Sequence, residues 1–459
     1  MAVWSSVNFS ALTEDHRIDA EHYQPECLAQ AKLIATMPNA PLSSLADVSD
    51  GNHLSIAESF SETGIRYLRG QDLSDFFISE KSPVHIPESA YATLQRSHIH
   101  PGDVLLGIVA TIGTVSFVTD SFGKLTANCK IAILRPREVE GEFLAAFFLS
   151  ELGQREIHRW ARGTVQTGVI LPDLKKLPIP IVAKATRRKI AELVQAAYAK
   201  RQASATHYAE AEAILTTALG LDRIDLAPNL FYEDTFSHAV AVGRLDAEFF
   251  QPKYQRVLKA LESTKPKRIA PLEEFLALLT NGHTPLHHDL SEGDVSFLTA
   301  EHVFDFRIDY DSKKRILRGH HDGELQGTRL RKGDCLITIK GRIGNAAIAE
   351  DFIGPVNINQ DVALFRLKDS LPSYYLMAYL NSQVGKAFTL QYCTGQINPF
   401  LGLGNIRLLP IPVYDDSQMQ QIARMTEETV IKARALRTES LRLLDEAKRT
   451  VETAILKGV

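Results

Sequence analysis

Apolar positions in the first part of the chain fall into short runs closed by turn residues. Ile65–Leu68, Val104–Ile108, Thr114–Val118 and Ile131–Leu134 are alternating or wholly apolar, the pattern of β-strands. Phe143 to Trp160 changes period, with Leu144, Phe147, Phe148, Leu152 and Ile157 on one broad side of a helix. Pro172, Pro178 and Pro180 break any helix beyond it, so Leu177–Val182 reads as an extended segment.

From Arg187 to about Leu221 there is no Pro, and the one Gly is Gly220. Ile190, Val194, Ala197, Arg201, Ala205, Tyr208, Ala211, Leu215 and Leu219 recur at steps of three and four. The spacing predicts a helix of about 33 residues, roughly 50 Å at ~1.5 Å rise per residue. Gly220 supplies its stop. A second such helix runs from Gln418 to about Leu456, with Ile422, Met425, Thr429, Ala433, Leu436, Ser440, Leu443, Ala447, Val451 and Ala454 on its stripe. Neither helix can hide so long a stripe alone. The simplest arrangement is an antiparallel pair, which would relate two globular domains by a pseudo-two-fold axis and hold them apart. In the alternative, each helix packs on its own globular domain.

The chain is also written twice. Arg17-Ile18-Asp19-Ala20-Glu21 returns as Arg244-Leu245-Asp246-Ala247-Glu248, Pro101-Gly102-Asp103 as Lys332-Gly333-Asp334, and Leu177-Pro178-Ile179-Pro180 as Leu409-Pro410-Ile411-Pro412. Offsets of 227, 231 and 232 residues are far too long for a solenoid, whose repeats run roughly 20–50 residues. They describe two copies of one globular module with small insertions. The expected domains are residues 1–185, a long helix over 186–222, a second module over 223–416 and a second helix over 417–459.

A 459-residue chain has room for about three domains, which suits two modules and their connecting elements. Cys27, Cys129, Cys335 and Cys393 form no Cys-x-x-Cys, which argues against a zinc ribbon and fits a reduced, cytoplasmic protein. Met1–Ser10 has neither the basic start nor the apolar core of a secretion signal. No apolar run reaches the ~20 residues of a membrane span. A net charge of −4 disfavours non-specific coating of nucleic acid, though a local basic face can coexist with it.

Gly102-Asp103-Val104-Leu105-Leu106 with Ile112-Gly113 recurs as Gly333-Asp334-Cys335-Leu336-Ile337 with Ile343-Gly344. With it come Asn359-Gln360-Asp361, Asn281-Gly282-His283-Thr284-Pro285, and Gly163-Thr164-Val165-Gln166-Thr167-Gly168 leading to Leu177-Pro178. This set, in order and doubled, resembles the target recognition domains of the specificity (S) subunits of Type I restriction–modification systems, over nearly the whole chain. Copy one departs from it: Asn52-His53-Leu54 stands in place of His283-Thr284-Pro285, and Asn128-Cys129-Lys130 in place of Asn359-Gln360-Asp361. The departures suit two copies that read different sequences.

The resemblance implies a mixed α+β fold, two pseudo-repeated α/β target recognition domains joined by two long antiparallel paired helices. It implies a non-catalytic protein that reads a bipartite, asymmetric double-stranded DNA target. It also implies partners: two methyltransferase (M) subunits, which would carry the S-adenosylmethionine, and nuclease/translocase (R) subunits for restriction.

Arg and Lys suit guanine O6/N7, and Asn and Gln suit adenine N6/N7. Copy one offers Arg66, Arg69 and Gln71 in and after a strand, Thr111 in a turn, and Arg162, Thr164, Gln166 and Thr167 in a Gly-bracketed loop. Copy two offers Thr284, Thr299, Glu301, His302, Lys340, Arg342, Gln396 and Asn398. Lys340-Gly341-Arg342 is the strongest candidate, two cations flanking a Gly that lets backbone come close. Lys313-Lys314-Arg315 with Arg318 could track phosphates. For each, a solvated turn residue is the bland alternative.

Other chemistries fit less well. His283, His287 and His288 include a zinc-like spacing, but Pro285 opposes a regular helix and no Cys completes the set. Asn398-Pro399-Phe400 lacks the second Pro of an adenine-methyltransferase motif, and no Gly-rich cofactor loop accompanies it. The rival readings are a stand-alone two-domain DNA methyltransferase or nuclease, and a protein-binding scaffold.

Overall fold

In the computed structural model the chain divides into two units, Met1–Arg201 with Thr438–Val459, and Gln202–Arg437. The structure describes residues 5–9, 12, 17–79, 83–163, 167–285, 289–395 and 397–458. The first unit holds β1 (Asn39–Pro41), β2 (Ala46–Asp50), β3 (Ile65–Leu68), β4 (Val84–Ile86) and β5 (His98–Ile99). It continues with β6 (Val104–Gly107), β7 (Val115–Phe117), β8 (Leu125–Ala127), β9 (Ile131–Pro136) and β10 (Pro178–Pro180).

Strands β2, β9, β6 and β7 lie side by side in that order, each pair antiparallel. All four residues of β6 are buried because the sheet is covered on both faces. Val104 and Leu106 join Phe143, Phe147 and Phe148 on one face, and Leu105 joins Leu68, Leu125 and Ile133 on the other. A second sheet has the order β4-β3-β8-β5, with β3 and β8 parallel.

The single helix expected over Phe143–Trp160 is two, Gly141–Leu149 and Glu151–Trp160. Ser150 is extended (φ −72°, ψ 160°), and its hydroxyl accepts the Gly153 amide at 3.2 Å. A side chain at 153 would stand 1.9 Å from the Phe147 carbonyl oxygen, so only glycine permits so close a restart. The expected apolar side survives the break, since Leu144, Phe147, Phe148, Leu152 and Ile157 are all buried.

The second unit holds β11 (Arg268–Pro271), β12 (Leu276–Asn281), β13 (Val295–Leu298), β14 (Val303–Phe304), β15 (Arg307–Ile308) and β16 (Arg315–Ile316). It continues with β17 (Cys335–Thr338), β18 (Ala346–Ile348), β19 (Val356–Ile358), β20 (Val362–Leu367) and β21 (Pro410–Val413). Its sheets repeat the pattern: β12-β20-β17-β18 antiparallel, and β16-β13-β19 with β13 and β19 parallel. The antiparallel pair β11–β21 matches β1–β10. Ser382 caps the Gly385 amide as Ser150 caps Gly153.

The repeated motifs are joints of this frame. Gly102 and Gly333 take φ of +89° and +87°, as the turn before each strand requires. Asp103 accepts the His100 amide and the Arg135 guanidinium; Asp334 accepts the Arg331 amide and the Arg366 guanidinium. Arg17 donates to Asp19 and the Trp160 and Ala161 carbonyls, while Arg244 donates to Asp246 and the Cys393 carbonyl.

The long helices are Lys184–Leu219 and Asp416–Lys457, each starting earlier than the sequence stripe suggests. Gly220 (φ +67°) ends the first, with the Leu221 amide donating to the Thr216 carbonyl at 2.7 Å. In the first unit Ser440 donates to the Ala197 carbonyl, and in the second Ser204 donates to the Ala433 carbonyl, both at 2.7 Å. Within each unit a segment of one long helix thus lies in contact with a segment of the other. They also join that unit's own core: Ile190, Val194 and Val451 in the first, Leu215, Ile422 and Val430 in the second. Each long helix thus packs on the core of the unit it belongs to and, within that unit, on a segment of the other long helix. The stripes slip in places, since Ser204, Thr426 and Val430 are buried where Ala205, Met425 and Thr429 were expected. Small and hydroxylated residues at the seam let the backbones approach closely enough for side chain-to-carbonyl bonds.

Candidate nucleic-acid interface

In the first unit, the turns leaving β3, β6 and β8 meet the loop that follows the Glu151–Trp160 helix. The Ile108 amide donates to the Lys130 carbonyl, and the Val169 amide to the Ile108 carbonyl, at 3.0 and 2.9 Å. Thr111 Oγ1 donates to the Gly70 carbonyl at 3.2 Å, and Arg162 and Gly168 exchange backbone hydrogen bonds. Arg69, Gln71, Thr111, Arg162 and Thr167 therefore come from distant sequence to one cluster of loops.

Their side chains are engaged to different degrees. Arg69 makes two bonds to buried Asp72 at 2.9 and 3.0 Å, and that carboxylate raises the guanidinium's affinity for its proton. Arg162 holds buried Asp173 at 2.5 and 2.9 Å. Arg66 reaches the Ser79 carbonyl and lies 5.6 Å from the centre of the Phe122 ring. Gln71 is exposed, and Thr167 bonds the Gly163 carbonyl at 3.1 Å. Thr164 and Gln166 lie outside the described residues.

The second unit makes the equivalent cluster. The Ile339 amide donates to the Asp361 carbonyl and the Leu401 amide to the Ile339 carbonyl, while Thr394 and Phe400 exchange backbone bonds. Lys340, Gly341 and Arg342 form the tip of the hairpin between β17 and β18. Lys340 Nζ is 3.8 Å from Asp361 and 5.4 Å from the Phe400 ring centre. Arg342 lies 4.7 Å from the Phe304 ring centre, and Arg307 lies 3.8 Å from the same ring. Asn398 is exposed beside this tip; Gln396 lies outside the described residues. Thr284 donates to Gln360 at 2.7 Å, next to Asp361 in sequence.

Thr299 and His302 are occupied with each other: Thr299 caps the short turn Ala300–His302 and its hydroxyl lies 3.1 Å from His302 Nδ1. Burial pushes the His302 imidazole below its ordinary pKa. Glu301 is exposed and stands 4.0 Å from Lys314. Elsewhere in the basic run, Arg318 pairs with Asp294 at 2.8 Å and Arg315 bonds Ser296, so its charge is partly compensated.

Sequence reasoning missed Phe304, Arg307 and Asp361 as parts of the tip. The available signal was Phe304-Asp305-Phe306-Arg307, aromatics beside a cation directly after the Thr299–His302 turn. Among the described residues no group of His, Cys, Asp and Glu could hold a metal ion. His283 bonds Glu324 at 3.0 Å, and His287 and His288 lie outside the described residues.

The chain holds two units of one fold, each gathering polar loop residues at the ends of its strands. Residues 41–213 match the model of the family described as the Type I restriction modification DNA specificity domain. The chain is similar in fold to the S subunit of a Type I restriction-modification system from M. genitalium, at 14% identity, covering 90% of this chain and 95% of that one, with a TM-score of 0.43. It is also similar to the HsdS subunit from Thermoanaerobacter tengcongensis, at 16% identity, 92% and 96% coverage and a TM-score of 0.29. A chain from a type I R-M assembly matches at 16% identity, 92% and 98% coverage and a TM-score of 0.33. No curated protein matches the chain. No helix among the described residues is long and apolar enough to cross a membrane.

Proposed function

We propose that this chain is the specificity subunit of a Type I restriction–modification complex and reads a bipartite DNA target, one half-site per unit. The observation that carries the reading is the repetition: the sheet order of the matched first unit recurs in the second, down to the parallel strand pair. Two linked modules gain effective concentration on one duplex only when both half-sites stand at the right spacing. The long helices act as the spacer. Loop side chains read base edges while Lys and Arg on phosphates fix register.

The chain itself is non-catalytic. It directs two methyltransferase (M) subunits, which carry S-adenosylmethionine, and nuclease/translocase (R) subunits where restriction occurs. Such a complex works on DNA in the cytoplasm. The test is selection from random duplexes by the chain together with its methyltransferase partner. A two-part consensus with a fixed gap is the expected result. Binding without such a consensus, or methylation or cleavage by the isolated chain, would overturn the proposal.

A further inference from the structure

The two hairpin tips have the same backbone and different chemistry. Ala110 takes φ +65° in the first, and Gly341 takes φ +71° at the matching place in the second. The Gly107 amide bonds the Thr114 carbonyl as the Thr338 amide bonds the Asn345 carbonyl, so the tips are in register. At the flanking positions the first tip has Val109 and Thr111, and the second has Lys340 and Arg342. In the turn that receives each hairpin, Lys130 in the first unit stands where Asp361 stands in the second. The first hairpin tip itself is thus uncharged, with its Thr111 hydroxyl bound to the Gly70 carbonyl, and its receiving turn presents the exposed Lys130. The second presents two cations and, 3.8 Å from Lys340, a carboxylate.

The cations are held in place as well as displayed. Arg342 and Lys340 are exposed, yet each lies over an aromatic ring, Phe304 and Phe400, whose faces attract cations and limit the rotamers sampled. Phe304 is fixed to the hairpin's base: Asn345 donates to the Val303 carbonyl at 3.2 Å, and the Phe306 amide to the Ala346 carbonyl at 2.9 Å. A guanidinium held in one orientation loses less conformational freedom when it bonds a base edge.

We infer that the Lys340–Gly341–Arg342 tip, with Asp361, reads a G·C pair in the half-site of the second unit, and that the first unit, with Thr111 and Lys130 at the places of Arg342 and Asp361, lacks this arginine–carboxylate pair. Arg342 donates two hydrogen bonds to guanine O6 and N7, and Asp361 accepts from the cytosine amino group, the pairing these groups present in the major groove. Lys340, 3.8 Å from Asp361, reaches either the guanine edge or a phosphate. The target is therefore asymmetric, with this G·C pair in one half only. The inference rests on the DNA-reading function proposed above.

The test is selection of a randomised 40-bp duplex pool by the full chain with its methyltransferase partner, comparing wild type with R342A, R342K and F304L. The wild type is expected to enrich one G·C position in one half. R342A should lower that enrichment about tenfold and leave the other half unchanged, because both sites are judged in the same molecule and a folding defect would weaken both. R342K should keep part of the preference, having one point donor in place of a fork. F304L should weaken it a few-fold by releasing Arg342. An R342A consensus identical to wild type, or a loss spread over both halves, overturns the inference while leaving the DNA-reading function intact. A wild-type protein that enriches no sequence overturns both.

Discussion

His22 sits where the second copy has Phe249, and both are buried. The imidazole packs edge-on against Tyr23 and Trp160, its Nδ1 is 3.1 Å from the Arg159 carbonyl, and its Nε2 has no partner among the described residues. Burial, with the Arg159 and Arg17 charges nearby, outweighs the hydrogen bond to the Arg159 carbonyl and the Asp19 carboxylate and pushes its pKa down to about 4. Below pH 6.5 the unfolded chain takes up a proton that the folded ring refuses. Stability is therefore full above pH 6.5 and falls as pH drops toward 4, by up to about 3 kcal/mol. H22F, borrowing the residue of the other copy, should flatten urea midpoints of the first unit over that window; an unchanged pH slope would count against the assignment. Asp334 gives a second residue-scale expectation. D334A removes the partner of Arg366 and the cap on Arg331, and should cost about 3 kcal/mol in chemical denaturation.

At the scale of elements, the two-helix turn is decided by single glycines. A methyl at Gly153 or Gly385 would meet the Phe147 or Tyr379 carbonyl oxygen at 1.9 or 2.0 Å. G153A and G385A should each destabilise their own unit by about 2 kcal/mol or more, read from thermal unfolding, although Ala favours helix elsewhere. A neutral result would mean that the turn opens easily. The sequence showed the apolar side of Phe143–Trp160 but not its break, because helical periodicity carries across a capped restart with little change of phase. The strands were legible because both faces of each central sheet are buried, which demands unbroken apolar runs. The seam of the long helices was less so. Ser204 and Thr426 look like surface residues in sequence; the Ala433 carbonyl satisfies the buried Ser204 hydroxyl and the Ile422 carbonyl of its own helix the Thr426 hydroxyl.

At the scale of the molecule, duplication is the central property. If the long helices set the distance between half-sites, inserting one helical turn into both should change the length of the tolerated gap and leave the bases of each half-site alone. Selection from random duplexes reads both quantities at once, and an unaltered gap would remove the helices from that role. Mixed units offer no such control, because loop identity and spacing would change together.

The order of modules, the repeat, the long helices and the family resemblance were written in the sequence, since each rests on periodicity or on motifs kept in fixed order. The joint role of Gly102-Asp103 and Gly333-Asp334 was nearly so, because a glycine with positive φ and a capping carboxylate are local requirements. Which candidates stand together was not. Arg69 and Arg162 look free in sequence but hold Asp72 and Asp173. Arg342 meets Phe304, and Lys340 meets Asp361 and Phe400, only when three loops close on one hairpin. Backbone pairing between strands far apart in the chain creates that site, and no local pattern of residues records it.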